Sequence, residues 1–104
     1  MGLTRTVHFS SGVPTWEALR DHLAGRGVSL QLRMIDGLLA FPDEAPPADW
    51  RELRVNVPQG PITLKRVGDD VAFVIWGNAE PGLVEVWNTL IGACADLGGR
   101  EDAR

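Results

Sequence analysis

Apolar and polar residues alternate along "LTRTVHF", residues 3–9: Leu3, Val7 and Phe9 share one parity, and Thr4, Thr6 and His8 the other. Period-two alternation marks a strand with one buried face. The period then changes. In "TWEALRDHLAG" Trp16, Leu19 and Leu23 stand at i, i+3 and i+7, one apolar stripe on a helix. Thr15 precedes the stripe and offers an N-cap hydroxyl, Glu17 and Asp21 suit the early helix, and Gly25 or Gly27 ends it.

"VSLQLRMI", residues 28–35, returns to period two, and Asp36-Gly37 is a type I′ hairpin signal. A two-residue loop pairs Ile35 with Leu38, Met34 with Leu39, Arg33 with Ala40 and Leu32 with Phe41. Unbroken alternation then assigns Leu30, Leu32, Met34, Leu39 and Phe41 to the core face, with Ile35 and Leu38 together on the opposite one. "PDEAPPAD" reads as a loop and "DWREL" as one helical turn. "LRVNV" reads as a strand with Leu53, Val55 and Val57 inward and Arg54 and Asn56 outward.

"ITLKRV" and "VAFVIW" flank "GDD", a second hairpin. With Arg66 opposite Val71, Ile62 and Leu64 meet Ile75 and Phe73 in the core. Thr63, Lys65, Val67, Ala72, Val74 and Trp76 line the other face. "GNAEPG" opens a last helix, with Asn78 or Glu80 as cap and Pro81 in the first turn. Its stripe is Leu83, Val86, Trp87, Leu90, Cys94 and Leu97, and Gly98-Gly99 stops it.

The order is therefore β-α-β-β-β-β-β-α. Hairpin-linked strands make a mostly antiparallel sheet, here of five to six strands, and two amphipathic helices cover only one face of it. The expected fold is α+β, a two-layer sandwich: residues 1–99 form one domain and residues 100–104 a disordered tail. This order of elements is similar to that of TATA-binding-protein-like and other split α+β sandwiches, a likeness of topology that carries no function.

Composition narrows the function classes. The chain has 104 residues, a hydrophobic fraction of 44% and a charged fraction of 23%, ordinary for a globular domain that buries a real core. A net charge of −4 argues against bulk attraction to nucleic acid or anionic membranes. One cysteine, Cys94, excludes an intrachain disulfide and fits a reducing, cytoplasmic setting. No apolar run approaches the roughly 20 residues of a membrane span, and the N-terminus lacks the apolar segment of a secretory signal.

Chemistry-bearing motifs are sparse. His8, His22 and Cys94 fall on different elements and do not form a metal-ligand pattern. Cys94 sits among Ala93, Ala95 and Leu97, as a small buried residue would. The acidic pairs Asp43-Glu44 and Asp69-Asp70 fall in turns, and Ser10-Ser11 lacks a nucleophile-elbow context. No cofactor is implied, and the reading is non-catalytic.

The open face stands out instead. A one-sided antiparallel sheet normally shows polar groups to water. Here parity collects Ile35, Leu38, Val74 and Trp76 there, with Arg33, Arg54 and Lys65 as polar partners. Such a face suits protein contact, most simply a homodimer formed by sheet-on-sheet packing. The alternative is an anionic small ligand or single-stranded nucleic acid on the same face, with Trp76 stacking a base and the cations meeting phosphate.

Overall fold

The computed structural model describes residues 2–41 and 43–101. β1 (Gly2–Phe9) leads through a turn to α1 (Trp16–Ala24), followed by β2 (Gln31–Ile35), β3 (Leu38–Leu39), β4 (Glu52–Val57), β5 (Gly60–Val67), β6 (Asp70–Trp76), α2 (Pro81–Asp96) and β7 (Gly99–Glu101). Among the described residues the strands form one sheet of 7, ordered β3-β2-β4-β5-β6-β1-β7, and every neighbouring pair is antiparallel. This is the expected α+β architecture with one strand more than its upper bound. The helices cover one face, and the core lies between the layers.

Local chemistry explains most boundaries. Thr15 Oγ1 accepts from the Ala18 amide at 3.2 Å, and Gly25 closes α1. Trp16, Leu19 and Leu23 bury their stripe as the spacing requires. Asp36 (φ 50°) and Gly37 (φ 84°) both adopt the left-handed conformation of a type I′ turn. Pro81 begins α2, which buries Leu83, Trp87, Leu90, Ile91, Ala93 and Cys94. On the sheet, Leu53, Val55, Ile62, Leu64, Val71, Phe73 and Ile75 point under the helices, as their parity predicts.

Two arginines close the ends of this core. Arg5 shares the parity of Val7 and lies on the helix side. Its guanidinium sits 5.4 Å over the Trp87 ring, bonds Asn88 and makes a two-pronged contact to Glu101, 2.6 Å for each nitrogen. Arg66, opposite Val71, lies 5.5 Å over Trp50 and donates to the Ala48 carbonyl at 2.7 Å. Each cation covers an indole while its own charge stays hydrated or paired.

Three expectations need correction. No helical turn forms around "DWREL": β4 already begins at Glu52, and Trp50 is buried as a plug beneath Arg66. Arg100 and Glu101 are not a tail. They belong to β7, which pairs with Val7 and His8 of β1 and is tied by the Arg5–Glu101 contact. The rest of the expected tail, residues 102–104, lies outside the described residues. The third correction concerns the hairpin and decides the composition of the open face.

Candidate interaction surface on the uncovered sheet face

The hairpin register is as expected, with Ile35 opposite Leu38 and Met34 opposite Leu39, and the Ala40 amide donating to the Arg33 carbonyl at 2.9 Å. The faces are not. The register of β2 against β4 runs Gln31–Asn56, Leu32–Val55, then Met34–Arg54 and Ile35–Leu53, so one residue is inserted between Leu32 and Met34. This is a β-bulge at Arg33, and it inverts the parity of everything beyond it. Ile35 joins Leu53 on the helix side, where it packs against the core, and Leu38 goes with it to the rim of that side, 74% exposed. Met34 and Leu39 take the open side beside Arg54.

The predicted surface residues therefore separate. Val74, Trp76, Arg54 and Lys65 share the open face; Ile35 and Leu38 do not; Arg33 occupies the bulge and lines a shallow hollow with Leu39, Ala40 and Phe41. Unbroken alternation puts Met34 and Leu39 in the core and Glu52 in a helical turn, whereas the structure places all three on the open face. Glu52 was legible from its parity with Arg54, once "DWREL" is read as strand. Met34 carried no such signal, because Met34 and Ile35 are both apolar and either fits a core position.

The open face is organised in rows of opposed residues. One row runs Leu39, Met34, Arg54, Thr63, Val74, Thr4, and the next runs Glu52, Lys65, Ala72, Thr6. Trp76 is 66% exposed and Leu39 87% exposed. A hollow of about 350 Å³ lies between Arg54, Thr63, Lys65 and Trp76, with Glu52 on its wall. Among the described residues neither Arg54 nor Lys65 has an ion-pair partner. At the far margin of the face His8 Nδ1 lies 2.5 Å from Asp70 Oδ1.

Other candidate groups are tied into the scaffold. Cys94 is buried, which pushes its thiol up to about 12, so it is neither a thiolate nor accessible in the native fold. His22 Nε2 lies 3.0 Å from Asp96 Oδ2, and Arg26 bonds the same carboxylate, joining the end of α1 to the end of α2. Among the described residues no three His, Cys, Asp or Glu side chains converge as metal ligands, and no helix is long and apolar enough to cross a membrane.

Three carboxylates make the fold sensitive to acid. Asp36 Oδ1 accepts from the amides of Glu52 and Arg51, each at 2.8 Å, which binds the hairpin tip to the start of β4 and holds the carboxyl below its usual range. The hydrogen bond from His22 lowers Asp96, and that from Arg5 lowers Glu101. Each binds its proton less readily folded than unfolded. Their stabilisation is therefore complete above about pH 5 and is lost progressively as pH falls through the lower native values. Urea unfolding followed across that range is expected to show a declining midpoint, with a shallower decline in Asp36→Asn. Identical acid limbs in the two proteins would contradict this.

With this geometry established, comparison with known proteins adds no relative: no family model, curated protein or solved structure matches the chain.

Proposed function

We propose that this protein is a non-catalytic interaction domain that associates with itself through the uncovered face of its sheet. The observation that carries this reading is an uncovered sheet face on which Leu39, Met34, Val74 and Trp76 stand among two cations without an ion-pair partner among the described residues, where a sheet facing only water would carry polar groups. Full burial of each large apolar side chain contributes about 1.5–3 kcal/mol. Leu39 and Trp76 are largely exposed and gain most of that on association, while Met34 and Val74, already half-buried, gain less; together they act against an association cost of about 4–15 kcal/mol. The surface is large enough: 7 strands span about 30 Å and a six-residue strand about 20 Å. That footprint is comparable with the roughly 800 Å² per partner of a stable interface.

Light scattering behind size exclusion is expected to give the mass of a dimer at about 100 μM protein, and Val74→Asp to give a folded monomer. A wild-type chain that stays monomeric there removes the reading.

One observation favours a second reading. The hollow between Arg54, Lys65, Thr63 and Trp76 presents two cations, a hydroxyl and an indole to one small volume, the chemistry of an anionic ligand or a single-stranded nucleic acid. Quenching of tryptophan fluorescence by oligothymidylate or a nucleotide at low salt, abolished by Trp76→Ala, would replace the first reading with this one.

A further inference from the structure

The pattern of the open face also selects how a second copy sits on it; this rests on the self-association reading above. Two sheets facing each other about 10 Å apart are related in a closed dimer by a two-fold axis lying between them. Each placement of that axis sets particular residues against one another. An axis running along β4 puts Glu52 against Glu52 and Arg54 against Arg54. An axis along β5 puts Lys65 against Lys65. Both juxtapose like charges, which is costly at an interface.

An axis parallel to the strands and midway between β4 and β5 behaves differently. It exchanges the two members of every opposed pair. Glu52 and Lys65 are such a pair, and so are Arg54 and Thr63; Met34 and Val74 lie one strand further out on either side in the same row. Glu52 of one copy then meets Lys65 of the other, twice. Arg54 meets the Thr63 hydroxyl, and Met34 meets Val74. We infer that the partner is a second copy of this chain, packed face to face about a two-fold axis that runs along the strands between β4 and β5, with reciprocal Glu52–Lys65 contacts across it.

The contacts nearest the axis tolerate the roughly 30° rotation between aligned twisted sheets, because displacement grows with distance from it. The rival orientation is an axis across the strands between the two rows. It sets Glu52 against Arg54 but leaves the Lys65 ammonium over Thr63 without a counter-charge, and it does not bring Met34 to Val74. Each orientation leaves one cation over Thr63; an ammonium is more strongly hydrated than a guanidinium, so leaving Lys65 there costs more than leaving Arg54, and the lost Met34–Val74 contact adds to that cost.

Sedimentation of four proteins decides the matter: wild type, Glu52→Lys, Lys65→Glu and Arg54→Glu, with folding checked by circular dichroism. The inference expects Glu52→Lys and Lys65→Glu each to raise the dimer dissociation constant at least about tenfold, by setting like charges together twice. An equimolar mixture of those two variants restores association as a heterodimer, since each lysine then faces a glutamate. The intrachain neighbours Glu52 and Lys65 stay mismatched in that mixture, so recovery reports the contact between copies. Lys65 is exposed, so its variant carries the test even where Glu52→Lys compromises folding. A dimer disrupted by Arg54→Glu but not by Lys65→Glu would put the axis across the strands and overturn the inference. So would a dimer indifferent to every charge reversal, although self-association itself would stand. A wild-type monomer overturns both.

Discussion

Phe73→Ala is expected to lower the unfolding free energy by about 3–5 kcal/mol, whereas Trp76→Ala, three residues along the same strand, should change it by no more than about 0.5 kcal/mol in the monomer. The contrast follows from parity on β6. Phe73 is 1% exposed, opposed by Leu64 on one side and Arg5 on the other, beneath the helices. Removing its ring leaves a cavity that β5 and β6 cannot close without giving up their pairing. The Trp87 indole donates to the Phe73 carbonyl at 3.1 Å, so any backbone shift that relieves the cavity also strains a buried hydrogen bond. Trp76 has no such neighbours on the open face, and its truncation removes mainly solvent-exposed surface. Urea denaturation followed by far-ultraviolet circular dichroism at low protein concentration measures both. A stability loss of several kcal/mol from Trp76→Ala would mean that the face is covered within the chain, and the interaction surface would not exist. Since a domain of this size is typically stable by about 5–15 kcal/mol, Phe73→Ala takes a large share of the total.

How much of this was readable from residues alone depends on whether adjacent side chains differ in polarity. On β5 the buried residues Ile62 and Leu64 are flanked by the polar Thr63 and Lys65, and the "GDD" hairpin carries that parity onto the all-apolar stretch of β6 by setting Arg66 opposite Val71. Parity there has one answer, and the structure has it. Cap and turn chemistry is similarly local, which is why Thr15, Asp36-Gly37 and Pro81 lie where expected. At Met34-Ile35 the neighbours are both apolar. The sequence is then degenerate between an unbroken strand and one with an inserted residue, and Arg33 at the bulge carries no glycine to announce it. What decides is non-local: Leu53 needs an apolar neighbour on β2, and Asp36 must reach the amides of Glu52 and Arg51. The bulge satisfies both by placing Ile35 rather than Met34 over the core. It also answers why a hairpin tip is apolar on both sides. One side closes the core at its rim, and the other extends the open face. The β7 strand was hidden for another reason. A charged tripeptide after paired glycines resembles a frayed end, and only the guanidinium of Arg5, 96 positions earlier, gives Glu101 a reason to stay.

Gly99→Ala is expected to cost about 3 kcal/mol and to free β7 from the sheet. Gly98 and Gly99 look equivalent in the sequence and do different work. Gly98 has φ +87°, the left-handed conformation that ends α2, with open space where a side chain would stand. Alanine there pays only the conformational penalty of about 1–2 kcal/mol. Gly99 has ordinary backbone and no space. A β-carbon would stand 2.6 Å from Val7 Cγ1, 2.7 Å from the Cys94 carbonyl oxygen and 2.8 Å from Phe9 Cε1. Val7 and Phe9 are core residues fixed by β1, and the carbonyl belongs to the last turn of α2, so none of the three can yield as a flexible side-chain tip would. The chain must move instead. Moving it breaks the pairing of Gly99 with Phe9 and of Arg100 with His8, and it withdraws Glu101 from Arg5. Arg5 then loses the carboxylate that fixes it over Trp87. The expected signature is thus specific: loss of hydrogen-exchange protection at β7 and the facing amides of β1, with β4 to β6 retained, and a shifted fluorescence spectrum from Trp87. Equal effects at Gly98 and Gly99, or full protection of β7 in Gly99→Ala, would show that the close approach of α2, β1 and β7 does not hold this edge of the sheet.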